Sequence, residues 1–139
     1  KTYDFSGRRV LLVDDDAINR TVAELMLDTV GVEVIMAEDG KQAVDTLNEQ
    51  SIDLVFMDCQ MPVMDGYEAS LTIRQLSNPL KRNVPIVAMT ANAMKGDNEM
   101  CLEAGMDDYI SKPVEAQLLH ELMSKWLDHT HSEGIAARD

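Results

Sequence analysis

The chain has 139 residues, in which 25 Asp and Glu outnumber 12 Lys and Arg, for a formal charge of −13. Nucleic acids and anionic membranes are both gripped through clustered Lys and Arg, so this balance argues against either as a direct partner. With 45% hydrophobic residues the chain can bury the core of one domain, which separates it from a disordered acidic tail.

Short apolar runs alternate with longer amphipathic stretches. In chain order they are a run at Val10–Val13, a helical pattern over 17–30, a run at Val32–Ala37 and a helical pattern over 41–50. A run at Ile52–Met57, a helix over 66–77, a run at Val84–Met89 and a helix over 95–104 follow. The brief Tyr109–Ile110 and a helix over 114–127 close the series. The first four runs are rich in β-branched residues, which predicts strands buried on both faces. In the last helix Val114, Leu118, Leu119, Leu122, Met123, Trp126 and Leu127 form one apolar stripe. Gly31, Gly40 and Gly105 mark helix ends and turns, while Pro62, Pro79, Pro85 and Pro113 fall in loops or at element edges.

Repeated β/α units of this kind predict a doubly wound α/β fold, a parallel sheet covered by helices on both faces through right-handed crossovers. Residues 8–128 form the domain; 1–7 read as a linker from an upstream domain and 129–139 as a flexible polar tail. No apolar run approaches the roughly 20 residues of a membrane span, and no signal peptide is visible. The first residue is Lys1 rather than Met, which reads as a fragment, with a larger parent, or a processed product. Cys59 and Cys101 belong to no CxxC pair and are expected as partly buried free thiols of a reducing cytoplasm. His120, His129 and His131 lie in or beyond the last helix and do not form a zinc site with them. The ten methionines are mostly core filling.

An open parallel sheet binds ligands outside the carboxyl ends of its strands. The first strand closes on Asp14, Asp15 and Asp16, the third on Asp58, the fourth on Thr90 and Ala91, and the fifth on Ser111, Lys112 and Pro113. Clustered carboxylates are hard oxygen ligands that suit Mg²⁺ with a phosphate. Asp58, in the middle, is placed to be a carboxylate nucleophile toward phosphorus, with Lys112 and Thr90 neutralising and hydrogen-bonding the phosphoryl oxygens. Taken singly, Asp16 is as well read as a helix N-cap as a metal ligand, Thr90 as a turn residue and Lys112 as a surface charge. Asp107 and Asp108 read as an exposed turn. Jointly the single readings fail, because separate loops deliver complementary groups to one edge.

Over residues 8 to 128 the chain resembles the receiver domain of two-component response regulators. The resemblance rests on Val13-Asp14-Asp15, on Asp58-Cys59-Gln60-Met61-Pro62-Val63-Met64-Asp65-Gly66, on Met89-Thr90-Ala91 and on Asp108-Tyr109-Ile110-Ser111-Lys112-Pro113. It implies a flavodoxin-like sheet of strand order 2-1-3-4-5 and a domain that catalyses its own phosphorylation and dephosphorylation. By the same resemblance, Asp58 takes a phosphoryl group from the phosphohistidine of a histidine kinase or histidine phosphotransfer domain. Asp15 ligates Mg²⁺ directly, Asp14 mostly through water, and the Gln60 backbone carbonyl completes the protein ligands. Thr90 and Lys112 contact the phosphoryl oxygens, Tyr109 is the switch aromatic, and the Lys112–Pro113 bond is cis. Gln60 and Asn92 tune attack by water on the acyl phosphate. The one departure is Asp16, where similar receivers often carry Asn.

The added phosphoryl charge is expected to bias the surface of the fourth long helix, the fifth strand and the last helix, where Tyr109 sits. A phosphodonor is expected to dock near the first helix, with Ile18, Val22 and Met26 as candidates, the last two equally readable as core. The opening Asp4-Phe5-Ser6-Gly7-Arg8-Arg9 resembles the linker before receivers fused to a histidine kinase, so the parent is read as a hybrid sensor kinase working in a phosphorelay, with anchoring in the inner membrane left open. A stand-alone regulator is the near alternative. A haloacid dehalogenase-type phosphohydrolase would place its nucleophile on the first strand, whereas here the richest motif follows the third. A module that kept the fold without the chemistry would not need all of Asp14, Asp15, Asp58, Thr90 and Lys112.

Overall fold

Alternation along each strand decides which helix covers which face of the sheet. In the computed structural model, which describes residues 4–91 and 95–128, five strands run parallel in the order β2-β1-β3-β4-β5. They are β1 Arg9–Val13, β2 Glu33–Ala37, β3 Leu54–Asp58, β4 Ile86–Thr90 and β5 Asp108–Ser111. Between and after them come α1 Ala17–Asp28, α2 Gly40–Glu49, α3 Gly66–Ile73, the short α4 Pro79–Arg82, α5 Lys95–Glu103 and α6 Ala116–Met123. A π-helical turn over Ser124–Asp128 extends α6.

Because successive side chains point to opposite faces, Leu11, Val13, Val55, Met57, Ile86 and Ala88 pack against α2 and α3, with Cys101 of α5 in the same core. Their neighbours Val10, Leu12, Leu54, Phe56, Val87 and Met89 pack against α1 and α6. The expected doubly wound architecture and its strand order are both present. β3 and β4 are buried at every residue. β2, expected to be buried on both faces, is the sheet edge: it pairs with β1 alone, leaving Glu33 and Met36 exposed.

Other differences from the sequence reading have local causes. The short α4 was not predicted, but Pro79 falls at an element edge as expected: it opens that helix, since Asn78 caps it and a first-turn proline lacks an N–H the helix would not use. The last helix begins at Ala116, after Glu115 in extended conformation, rather than at Val114. Its stripe is narrower than predicted: Leu119, Met123 and Leu127 are buried, whereas Leu118 faces solvent. Neither cysteine is in a disulfide, and both are buried. Met57, Met89, Met106 and Met123 fill the core as expected, while Met36 and Met100 are exposed.

Two loops expected to be plain are structural. Asp107 accepts from Arg74 Nη2 at 2.8 Å and from the Ile86 amide at 2.8 Å. Asp108 opens β5 and accepts from Lys125 and Trp126, each at 3.1 Å. Neither is a solvated turn residue; each carboxylate satisfies donors from a neighbouring element. At the amino end, Phe5 is buried in the α1/α6 core and its amide donates to Val30 O at 2.7 Å. His129, His131 and the tail 129–139 lie outside the described residues.

Candidate functional site

The carboxyl ends of β1, β3, β4 and β5 converge because parallel strands in register end at one level. Asp14 follows β1 directly, is 2% exposed, donates its amide to Ala37 O at 3.2 Å and accepts the Asp16 amide on Oδ1 at 2.9 Å. Asp58 ends β3, is 3% exposed and accepts the Gln60 amide on Oδ1 at 3.2 Å. Lys112 reaches in from beyond β5: its ammonium lies 2.9 Å from Asp58 Oδ1 and 3.5 Å from Asp14 Oδ2. Its amide donates to Thr90 O at 2.8 Å, which seats the Lys112 loop on the end of β4. The Lys112–Pro113 peptide is cis. The buried Thr90 shares with Asp15, Asp58, Gln60 and Lys112 a cleft of about 260 Å³.

One carboxylate oxygen each from Asp14, Asp15 and Asp58 lies within 4.8 Å of the others, with Asp15 exposed and the other two buried. Three carboxylates and one ammonium leave −2, the charge that one Mg²⁺ cancels. Three hard oxygen donors open to a cleft suit that ion, which keeps part of its water shell. Burial and the neighbouring charges shift the groups of the cluster. Burial, opposed by Lys112 and reinforced by Asp14, pushes Asp58 from the usual 3.8 up to about 6. For Lys112 desolvation works downward, but Asp58 and Asp14 outweigh it and its pKa rises. Cys59, the next residue, is pushed up to about 12 by burial and is an inert thiol.

Local geometry explains the rest of the motif. Asp16 is the N-cap of α1, its Oδ1 accepting from Ile18 at 2.8 Å and Asn19 at 3.2 Å, and it stands apart from the three-carboxylate cluster. Asp65 caps α3 by accepting from Glu68 at 2.9 Å. A Cβ at Gly66 would overlap the Asp58 carbonyl oxygen and lie 3.0 Å from Cys59 Cα, so only glycine lets α3 start beside β3. Tyr109, on β5, is 38% exposed and borders a separate cavity of about 390 Å³ with Leu118, Leu122 and Lys125. Asn92 lies outside the described residues.

Three features of α1 escaped the sequence reading. Asn19 lines both the acidic cleft and an adjoining cavity of about 430 Å³ that is also bordered by Asp14, Val22, Lys112 and Pro113. Arg20 donates to the Asp14 carbonyl at 2.8 Å. Leu25 joins Ile18 and Val22 among the exposed apolar residues, while Met26 packs partly against the core. The position of Asp16 as N-cap was the available signal, because it sets residues 19 and 20 in the first turn, one step behind the acids.

The family model described as "Response regulator receiver domain" matches residues 10–124. The chain belongs to the response regulator receiver family. The receiver is 40% identical over 119 residues to "Sensor protein GacS" of Pseudomonas syringae pv. syringae, covering 85% of this chain and 13% of that protein. Among solved structures it is 45% identical to the receiver domain of sensor histidine kinase PA1611 from Pseudomonas aeruginosa PAO1, with a TM-score of 0.81 over 88% of this chain and 99% of that one. That structure holds a magnesium ion coordinated in the active site cleft. A third relative is the receiver domain of Ssk1 from Saccharomyces cerevisiae, co-crystallised with the histidine phosphotransfer protein Ypd1. It is 31% identical, with a TM-score of 0.82 over 91% of this chain and 92% of that one. The chain spans between 7% and 15% of the length of the curated relatives it matches. As a receiver it has a phosphoacceptor role in two-component signalling. Among the described residues no helix is long and apolar enough to cross a membrane.

Proposed function

We propose that Asp58 is the phosphoacceptor of this receiver and that Asp14, Asp15 and the Gln60 carbonyl hold Mg²⁺ beside it. The carrying observation is the convergence of three carboxylate oxygens within 4.8 Å, with the Lys112 ammonium 2.9 Å from Asp58. Lys112 and the Gln60 amide hold Oδ1 of Asp58, and the attack on phosphorus is assigned to Oδ2. An O–P bond forms, the P–N bond of the donor phosphohistidine breaks, and the leaving imidazole keeps its electron pair. Bound Mg²⁺ supplies charge neutralisation for the phosphoryl oxygens. Lys112 and the Thr90 hydroxyl bind those oxygens on the other side, and Tyr109 reports the movement of Thr90 on the β5 surface. Gln60 and Asn92 set the lifetime of the acyl phosphate by controlling the approach of water.

The relatives support a place for this receiver in a hybrid sensor histidine kinase, passing phosphoryl groups to or from a histidine phosphotransfer domain; we assign that exchange to the cytoplasm. The acidic surface supports a domain that contacts neither nucleic acid nor membrane directly. The test is incubation with a small acyl phosphate and Mg²⁺, followed by intact-mass measurement. One phosphoryl adduct is expected, absent in Asp58→Asn or with chelator and retained in Asp16→Ala. An adduct that survives Asp58→Asn would refute the assignment. Loss in Asp14→Asn together with turnover of phosphate esters would instead indicate a phosphohydrolase.

A further inference from the structure

Arg20 has no part in the chemistry above, yet its guanidinium lies directly behind the acidic turn. Its side chain is 17% exposed; Nη1 donates to the backbone carbonyl of Asp14 at 2.8 Å, and Nη2 approaches Glu38 Oε2 at 3.9 Å, just after β2. The Arg20 amide donates to Asp16 O at 3.0 Å, so the side chain folds back over the turn that its own helix follows. Two other bonds fix this turn, the Asp14 amide to Ala37 O and the Asp16 amide to Asp14 Oδ1. The buried Asp14 carboxylate is held by Lys112 and the Asp16 amide. Asp15 is exposed, and the carbonyl that Arg20 binds belongs to the peptide joining Asp14 to Asp15.

We propose that Arg20 is a positioning residue for the divalent cation: by clamping the Asp14 carbonyl it fixes the Asp14–Asp15 peptide and presents the Asp15 carboxylate to the ion. This rests on the reading of Asp14, Asp15 and Asp58 as the Mg²⁺ site. Charge and geometry make opposite predictions here. By Coulomb's law alone a second cation beside the site repels Mg²⁺, so neutralising Arg20 would tighten binding. If the clamp matters more, neutralising it weakens binding, as happens when partners that orient metal ligands are removed.

The experiment is calorimetric titration of Mg²⁺ into the wild-type chain, Arg20→Gln and Arg20→Lys, with thermal melts in chelator and acyl-phosphate labelling at graded Mg²⁺. We expect Arg20→Gln to bind Mg²⁺ about 10-fold more weakly. The half-saturating Mg²⁺ for labelling should rise in parallel while the rate at saturating Mg²⁺ stays unchanged. Arg20→Lys keeps the charge and one donor and should recover part of the affinity. If Arg20→Gln fails to fold, as the melt will show, the graded loss in Arg20→Lys decides. Mg²⁺ affinity in Arg20→Gln equal to or tighter than wild type overturns the proposal, as does Arg20→Lys binding no better than a folded Arg20→Gln. A wild-type chain that binds no Mg²⁺ would overturn the site reading beneath it.

Discussion

Asp58 is asked to be both buried and charged. The residue is 3% exposed, and burial together with the neighbouring Asp14 outweighs Lys112 and the Gln60 amide, so its pKa stands at about 6 rather than 3.8. A raised carboxyl pKa means that the folded chain holds this proton more tightly than the unfolded one. The group therefore favours the fold fully below pH 3.8, and that contribution is lost as pH rises through 6. Asp58→Asn removes the charge, so in chelator at pH 7.5 its melting temperature is expected to exceed that of wild type by several degrees. The gap should close by pH 4, which melts across the pH range will show. Unchanged melting at both pH values would mean that Lys112 fully compensates the buried charge. Single residues were unevenly legible. Asp16 was open between cap and ligand because both roles suit an acid after a strand, and only its bonds to Ile18 and Asn19 decide for the cap.

At the scale of elements, one cation that takes no part in the site ties together the segments that enter two of its strands. Arg74, the C-cap of α3, donates to Gly105 O at 2.8 Å, to Arg82 O at 2.9 Å and to Val84 O at 2.6 Å. Its ion pair with Asp107 is 2.8 Å long, between side chains only 20% and 19% exposed. Gly105, at φ +91°, accommodates the approach, since a Cβ there would meet Arg74 Cγ at 2.8 Å. α3 is thereby tied to the entries of β4 and β5, the strands that deliver Thr90 and Lys112. Arg74→Met takes the cationic partner from Asp107 and a donor from three carbonyls, and is expected to cost about 3 kcal/mol of stability by denaturant unfolding. Lys41→Met, which breaks the exposed pair with Asp45, should leave the unfolding curve in place. Asp107 read as a turn residue in the sequence because its partner lies 33 positions away, beyond the reach of any local pattern.

For the whole molecule, the arrangement of faces determines what can reach Asp58. α1 leans on β1 with Ala23 and Leu27 buried, which turns Ile18, Val22 and Leu25 outward, Val22 lining the cavity that adjoins the acidic cleft. A small acyl phosphate needs none of these residues, whereas a phosphohistidine carried on a protein must dock. Ile18→Ala with Val22→Ala is therefore expected to slow transfer from a phosphorylated histidine phosphotransfer protein at least tenfold and to leave labelling by the small donor unchanged. Equal rates from both donors would place docking elsewhere. By itself the sequence determined the parallel α/β fold, its repeats and the identity of the groups at the sheet edge, because side-chain period and strand-end chemistry are local properties. It also carried the family resemblance, through motifs contiguous in the chain. Tertiary structure alone decided that β2 leaves Glu33 and Met36 exposed, that Asp16 is a helix cap, and that Leu118 is exposed. It likewise decided that Arg20 and Arg74 bind backbone carbonyls across loops. Those outcomes depend on distances between segments remote in the chain, and such distances are fixed only when the sheet has paired and both faces are packed.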